Sequence, residues 1–108
     1  MFETAATLQT AHAGKYIAQL CRHFAHKVDV SYSENHGECR FVCGTAVMVA
    51  DADMLQIRVT APDETQLRET QEVIESHLVR FAFREELQPL QWLQSTVTDR
   101  PEAVTAET

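Results

Sequence analysis

Four strand-like segments follow one another between residues 28 and 61, and this run constrains the fold more than any other feature of the chain. Three of them, residues 28–32, 38–43 and 54–61, alternate apolar with polar side chains, which is typical of strands that bury one face. The other, residues 45–50, is almost entirely apolar, and we interpret it either as a strand buried on both faces or as an edge that meets a partner. Short turns separate the segments, so the sequence predicts an antiparallel meander.

Helical periodicity flanks this meander on both sides. Before it, apolar residues recur at helical spacing and predict a first helix over residues 11–26, with Thr10 as its N-cap. After Pro62, Asp63 and Gln66 form a capping-box-like start for a second helix. The inner stripe of that second helix is predicted to consist of Leu67, Thr70, Ile74, His77, Leu78 and Phe81.

These elements predict an α+β domain with the order β-α-β-β-β-β-α. A weak first strand over residues 2–8 begins it, and residues 90–93 form a candidate last strand. Strands with one apolar face need helices on that face, so we expect an antiparallel sheet with both helices on one side. This order is that of the TATA-binding-protein-like and helix-grip folds, with a ferredoxin-like βαββαβ scheme as second choice. We expect a single domain over residues 1–94 and a disordered tail over residues 95–108.

The composition argues against several classes of function. The chain has 108 residues, of which 44% are hydrophobic, and a net charge of -7, as expected for one globular domain. The acidic balance argues against a nucleic-acid partner, and no apolar run approaches the roughly 20 residues of a membrane span. The N-terminus does not resemble a secretory signal, so we expect a cytoplasmic protein. An odd number of cysteines, 3, favours reduced thiols over a disulfide framework.

One segment runs against the acidic balance of the chain. Residues 12–27 contain three histidines and three cations but no acid. His23 and His26 are three positions apart on the predicted first helix, so we expect them to lie near each other on its exposed face. Imidazole suits Zn, Cu, Fe or Ni, but no third ligand is evident at a suitable spacing, and a solvated polar face is the alternative.

His77 differs from the other histidines because it falls on the inner stripe of the second helix. Either the backbone satisfies its hydrogen bonds, or it lines a cavity between the sheet and the helices. Arg80 and Arg84 follow it on the same helix, and with Lys27 and the other cations of residues 12–27 they could bind a carboxylate or phosphate. The alternative is that these cations pair with acids of the second helix or of a partner.

The cysteines give little evidence of chemistry. Cys39 and Cys43 share a predicted strand, on which residues four apart are separated by roughly 13 Å, too far for a disulfide. We therefore predict that both are small buried hydrophobic side chains. The same is expected of Cys21, which lies on the apolar stripe of the first helix.

Two strings of the sequence, QLCRHFAHKV at residues 19–28 and HLVRFAFREEL at residues 77–87, resemble a bacterial family known as domain of unknown function 2218. The resemblance covers roughly residues 5–94. It implies a setting beside siderophore and iron-uptake genes, where some such domains are fused to siderophore-interacting flavin reductases. The matching positions are His23, His26, Lys27, His77, Arg80 and Arg84. This chain has no flavin-binding segment, so the resemblance does not imply reductase activity.

These features favour a cytoplasmic binding or accessory domain over an enzyme. We expect its basic, histidine-rich face to bind a ferric siderophore or an iron-uptake protein, and the sequence identifies no cofactor. One alternative is a small enzyme that uses His77 or His23 as general acid and base in a pocket between sheet and helices. Another is a homodimeric structural module that associates through residues 45–50 or through the open face of the sheet.

Overall fold

The fold was described from a computed structural model that covers residues 1–81, 90, 92–93 and 96–97. Its elements along the chain are β1 (Phe2–Gln9), α1 (Ala13–Phe24), β2 (Asp29–Tyr32), β3 (His36–Arg40), β4 (Thr45–Ala50), β5 (Met54–Ala61), α2 (Glu64–Phe81) and β6 (Thr96–Val97). The predicted order β-α-β-β-β-β-α is confirmed, and a last strand, β6, follows and pairs with β1.

The strands form one antiparallel sheet in the order β2-β3-β4-β5-β1-β6. The register places the apolar residues of neighbouring strands opposite one another, as where Ile57 pairs with Met48 on one side and with Ala6 on the other. Both helices pack on this apolar face, α1 across β2 to β5 and α2 across β1, β4 and β5. The predicted meander and the helical layer on one side of the sheet are therefore confirmed.

Strand β4 lies in the interior of the sheet, so the interpretation of residues 45–50 as an edge is wrong. Ala46 and Met48 are completely buried beneath the helices. Val47 and Val49 lie on the opposite, open face, where Val49 keeps 37% of its surface exposed. The continuous apolar run thus reflects one buried face and one partly covered face.

Helix α2 begins as its sequence predicts. The Asp63 carboxylate accepts a hydrogen bond from the backbone N–H of Gln66 at 2.8 Å, and the Gln66 amide donates back to it at 3.3 Å. Such a cap satisfies backbone donors that have no partner within the helix. Leu67, Thr70, Ile74 and Leu78 are buried below it, as expected for the inner stripe.

Helix α1 is shorter than predicted at both ends. Its N-cap is His12 and not Thr10, which lies two positions earlier. The Thr10 hydroxyl oxygen accepts a hydrogen bond from the backbone N–H of His12 at 3.0 Å. The helix ends at Phe24, whose carbonyl accepts from the N–H groups of both Lys27 and Val28 at 2.9 Å. This turn redirects the chain into β2, and it leaves His26 beyond the end of the helix.

Gly37 was expected in a turn, yet it is a buried residue of β3 directly beneath α1. A Cβ at this position would lie 2.7 Å from both the Cys21 Sγ and the Ile17 Cγ2, closer than non-bonded atoms approach. The missing side chain therefore lets α1 lie against the sheet. Strand β3 accordingly begins at His36, earlier than predicted, and ends at Arg40, before Cys43.

Cys21 and Cys39 meet inside this contact between α1 and β3, which sequence spacing did not reveal. Their sulfur atoms are 3.9 Å apart, and both side chains are completely buried. All three cysteines of the chain are free thiols, as predicted. The hydrogen bond to Cys21, together with burial, raises the pKa of the Cys39 thiol, so it stays protonated and unreactive at neutral pH.

The segment after α2 is tied to the helix by one carboxylate. Glu75 accepts a hydrogen bond from the backbone N–H of Leu90 at 2.8 Å and from the Trp92 indole at 2.9 Å. The predicted position of the last strand, residues 90–93, is therefore wrong. Pairing with β1 begins where the N–H of Leu93 donates to Ala5, and the strand itself is Thr96–Val97, inside the segment expected to be a tail. Residues 98–108 of that tail lie outside the described part of the chain.

We predict that Gly37→Ala destabilises the domain by about 1–3 kcal/mol, because the added methyl group overpacks the contact with Cys21 and Ile17. Urea unfolding followed by circular dichroism measures this change. Gln56→Ala, at an exposed position of β5, serves as the control and should change stability by less than about 0.5 kcal/mol. Equal stability of Gly37→Ala and the wild type would contradict the close packing of α1 on β3.

Candidate functional site

The last turn of α1 and the C-terminal half of α2 meet beside the tight turn of residues 41–44. At this corner the rings of His23 and His77 face each other, with centroids 4.8 Å apart and planes inclined by 44°. Both side chains are half-buried. We call these two residues the imidazole pair.

Phenylalanine rings surround the imidazole pair. Phe24 contacts His77 at a centroid distance of 4.9 Å and contacts Phe41 at 4.9 Å, in both cases edge to face. Phe81 covers His23 from α2 at 5.8 Å. Edge-to-face contacts of this kind hold each ring in one orientation. The pair is therefore positioned by packing and is not free to rotate as surface histidines are.

The tautomer of His77 follows from its hydrogen bond. Its Nδ1 lies 2.8 Å from the backbone carbonyl oxygen of Val73, one turn earlier on α2. A carbonyl oxygen only accepts, so Nδ1 must carry the proton. In the neutral ring, Nε2 then holds a lone pair. The sequence left open whether the backbone provides a hydrogen-bond partner for His77 or whether His77 lines a cavity. The structure shows a backbone partner for Nδ1, the Val73 carbonyl oxygen.

The surroundings of His23 disfavour its protonated form. Burial lowers the pKa of this imidazole, and the nearby positive charges of His77, Lys27, Arg80 and His26 lower it further. These charges come from α2 and from the turn after α1. The corner is therefore a place where positive charge concentrates on a protein of net charge -7.

The structure brings together a different pair of histidines from the one that spacing suggested. His23 was expected beside His26 on the exposed face of one helix, but α1 ends at Phe24 and His26 lies exposed in the following turn. The ring partner of His23 is His77 on the other helix. A signal was present: His23 lies seven positions after Tyr16, at the border of the apolar stripe.

Two of the predicted cations, Lys27 and Arg80, lie at this corner. Lys27 and Arg80 are exposed and close enough for their charges to act on His23. Arg84 lies outside the described residues. Arg22 is exposed in the last turn of α1, and Lys15 is exposed near its start.

An open groove of about 620 Å³ runs from His77 along α2. Its lining consists of Cys43, Glu69, Glu72, Val73, Ser76 and His77. A concave site that holds His77 and a second polar group was the requirement of the enzyme alternative. The hydrogen bonds of His77 Nδ1, however, go to Val73 and, at 3.4 Å, to Ser76, and not to the Cys43 thiol. The groove therefore offers a surface for a ligand rather than an assembled nucleophile and base.

Cys43 is held at the rim of this groove by Thr70. The Thr70 hydroxyl oxygen lies 2.8 Å from the carbonyl oxygen of Gln66 and 3.1 Å from the Cys43 sulfur. Gly44 makes room for this contact, because a Cβ there would lie 2.6 Å from that hydroxyl oxygen. The Thr70 hydroxyl therefore lies within donor distance of both the Gln66 carbonyl oxygen and the Cys43 sulfur, and it keeps Cys43 at the rim.

Metal and membrane binding were also assessed from the described residues. In residues 1–81, 90, 92–93 and 96–97, no group of three or more His, Cys, Asp or Glu side chains is arranged so that it could hold a metal ion. Neither α1 nor α2, the helices of those ranges, has the length and apolar character to cross a membrane.

Comparison with known proteins agrees with the resemblance and the fold. A family model described as an uncharacterized protein conserved in bacteria, domain of unknown function 2218, matches residues 5–93. The NMR structure of PA4090 from Pseudomonas aeruginosa is similar to this chain, with a TM-score of 0.71 and 27% sequence identity over 89% of this chain and 96% of that one. A search of curated proteins finds no match. Neither the family nor PA4090 is described with an activity.

We predict that His23 makes the domain less stable as pH falls below 6.5, the ordinary value of a histidine. As the pH falls below 6.5, His23 becomes protonated in the unfolded chain, whereas in the folded chain its lowered pKa keeps it neutral. Proton binding therefore favours the unfolded state in this range, down to the pKa of His23 in the folded state. In His23→Gln this part of the pH dependence disappears, as measured by urea unfolding at a series of pH values. His36→Gln, at an exposed position of β3, should keep the wild-type slope. An unchanged slope in His23→Gln would show that the His23 pKa is not lowered.

Proposed function

The chain belongs to the uncharacterised bacterial family known as domain of unknown function 2218, and from this premise we propose that it is a non-catalytic domain that binds an anionic ligand. The observation that carries the proposal is the imidazole pair, two rings 4.8 Å apart that lie among the charges of Lys27 and Arg80. The ligand would lie over the pair near Lys27 and Arg80, and not in the groove along α2, where Glu69 and Glu72 would repel an anion.

Three features of the corner support an anionic ligand. The positive charges around His23 come from separate elements but act at one place, so they create a local positive potential. Lys27 and Arg80 are exposed, so their heads can reach a ligand. A bound anion would also favour protonation of His23, and the resulting imidazolium would donate a charge-assisted hydrogen bond to it.

Among anions, we propose a ferric siderophore, or an acidic iron-uptake protein that presents one. The family resemblance supports this choice through its expected genetic setting, and the charge of the corner is compatible with it. Ferric siderophores are bulky and often anionic, and the exposed side chains of Lys27 and Arg80 are accessible to such a ligand. The same site would attract an acidic protein surface through long-range electrostatics.

The proposal predicts that Lys27→Gln and Arg80→Gln each weaken anion binding about 10- to 150-fold, because each removes one charge-assisted contact worth about 1.5–3 kcal/mol. Isothermal titration calorimetry with citrate, and then with ferric siderophores of hydroxamate and catecholate type, measures the change. Folding of each variant is checked by circular dichroism, since both residues are exposed.

Matched controls separate the site from the general charge of the protein. Arg68→Gln removes an exposed arginine of α2 three turns before Arg80, and Lys15→Gln removes an exposed lysine near the start of α1. Both should bind citrate as the wild type does. Equal losses in all four variants, or no binding by the wild type, would contradict the proposal. Binding of citrate without binding of any siderophore would contradict only the choice of ligand.

A homodimer is a second proposal, supported by the open face of the sheet. On the half formed by β4, β5 and β1, a shallow cavity of about 150 Å³ is lined in part by Ala5, Val47 and Val49. The other half is polar, because Arg40 binds Asp29 at 3.0 Å and Glu38 at 2.7 Å there. We expect a mass in sedimentation equilibrium that rises with concentration and falls in Val49→Glu. A monomer at high concentration would contradict the dimer.

A further inference from the structure

The imidazole pair has a second property that goes beyond attraction of an anion. We propose that His23 and His77 together bind one divalent transition metal ion of the class that prefers imidazole ligands, namely Ni²⁺, Zn²⁺ or Cu²⁺. The site spans two helices, and it differs from the pair of neighbouring histidines on one helix that the sequence suggested.

His77 carries the arrangement that ligating histidines show in metal sites. Its Nδ1–H donates to the Val73 carbonyl oxygen at 2.8 Å, which fixes both the tautomer and the orientation of the ring. A histidine that binds a metal through one ring nitrogen almost always donates its other N–H to a carbonyl, a carboxylate or water in this way. Nε2 of His77 is left with the lone pair that a metal requires.

His23 lies at a distance from which it can share the ion. The two ring centroids are 4.8 Å apart, and two metal–nitrogen bonds of about 2.1 Å span up to about 4 Å between ring nitrogens. The planes are inclined by 44° and are not stacked in parallel, which is compatible with both rings binding one ion. Phe24 and Phe81 pack against the pair and limit the reorientation that binding would need.

The protein supplies two ligands of such an ion and leaves its other positions open. No larger group of metal-binding side chains occurs in the part of the chain that the structure describes. Lys27 and Arg80 also repel a free cation, so metal alone should bind with moderate affinity. Water, or an oxygen of the anion, would fill the open positions; this last step rests on the proposed function, whereas metal binding by the pair does not.

Titration of the untagged protein with Ni²⁺ tests the proposal, since Ni²⁺ does not oxidise thiols as Cu²⁺ does. Calorimetry should give one ion per chain, and the melting temperature should rise, because the ion binds the folded state. Zn²⁺ should behave alike, and Mg²⁺, which prefers oxygen ligands, should not bind at the pair. In long-range ¹H–¹⁵N spectra, Zn²⁺ should shift the ring nitrogens of His23 and His77.

Variants decide whether the pair is the site. His23→Phe and His77→Phe keep an aromatic ring in place and remove the nitrogens, so each should lose at least about tenfold in Ni²⁺ affinity while remaining folded. His26→Ala, His36→Ala and Cys43→Ser should bind Ni²⁺ as the wild type does. Unchanged affinity in either phenylalanine variant, or no binding of Ni²⁺ by the wild type, would overturn the proposal. Citrate binding measured without metal is unaffected by these outcomes, so the two proposals can fail separately.

Discussion

The close approach of α1 to strand β3 at Gly37 is the constraint on which the rest of the structure depends. Because Gly37 has no side chain, Cys21 and Ile17 occupy the space above it, and the depth and rotation of α1 are fixed. That rotation turns His23, in the last turn of the helix, toward α2. Gly44 has a similar effect for α2, since its missing side chain admits Thr70. The relative position of His23 and His77 thus depends on how closely each helix approaches the sheet.

Much of this fold could be predicted from local patterns. Alternation of apolar residues identified the meander, and the capping pair Asp63 and Gln66 marked the start of α2. Such features depend on residues close in sequence, where periodicity and hydrogen-bonding rules apply directly. The errors occurred where distant residues decide the outcome. Glycine is typical of turns, and only the contact with α1 makes Gly37 part of a strand.

The geometry around the histidines was harder to predict than the fold, for the same reason. The histidine-rich segment stood out because it contains no acid, but His23 and His26 were paired because both were placed on one helix. The turn after Phe24, and the packing of α2 beside α1, separate these two and bring His77 to His23. The contact between Cys21 and Cys39 was missed likewise, since it joins a helix to a strand that sequence spacing does not relate.

The central claim is that the imidazole pair lies in a cationic binding site whose charges disfavour the protonated form of His23 until an anion binds. The most direct test is to measure the pKa of His23 by NMR, without ligand and with saturating citrate. The account predicts a pKa below 6.5 without ligand and a rise when citrate binds, because an adjacent anion favours the imidazolium. A pKa of His23 that is the same with and without citrate would contradict it.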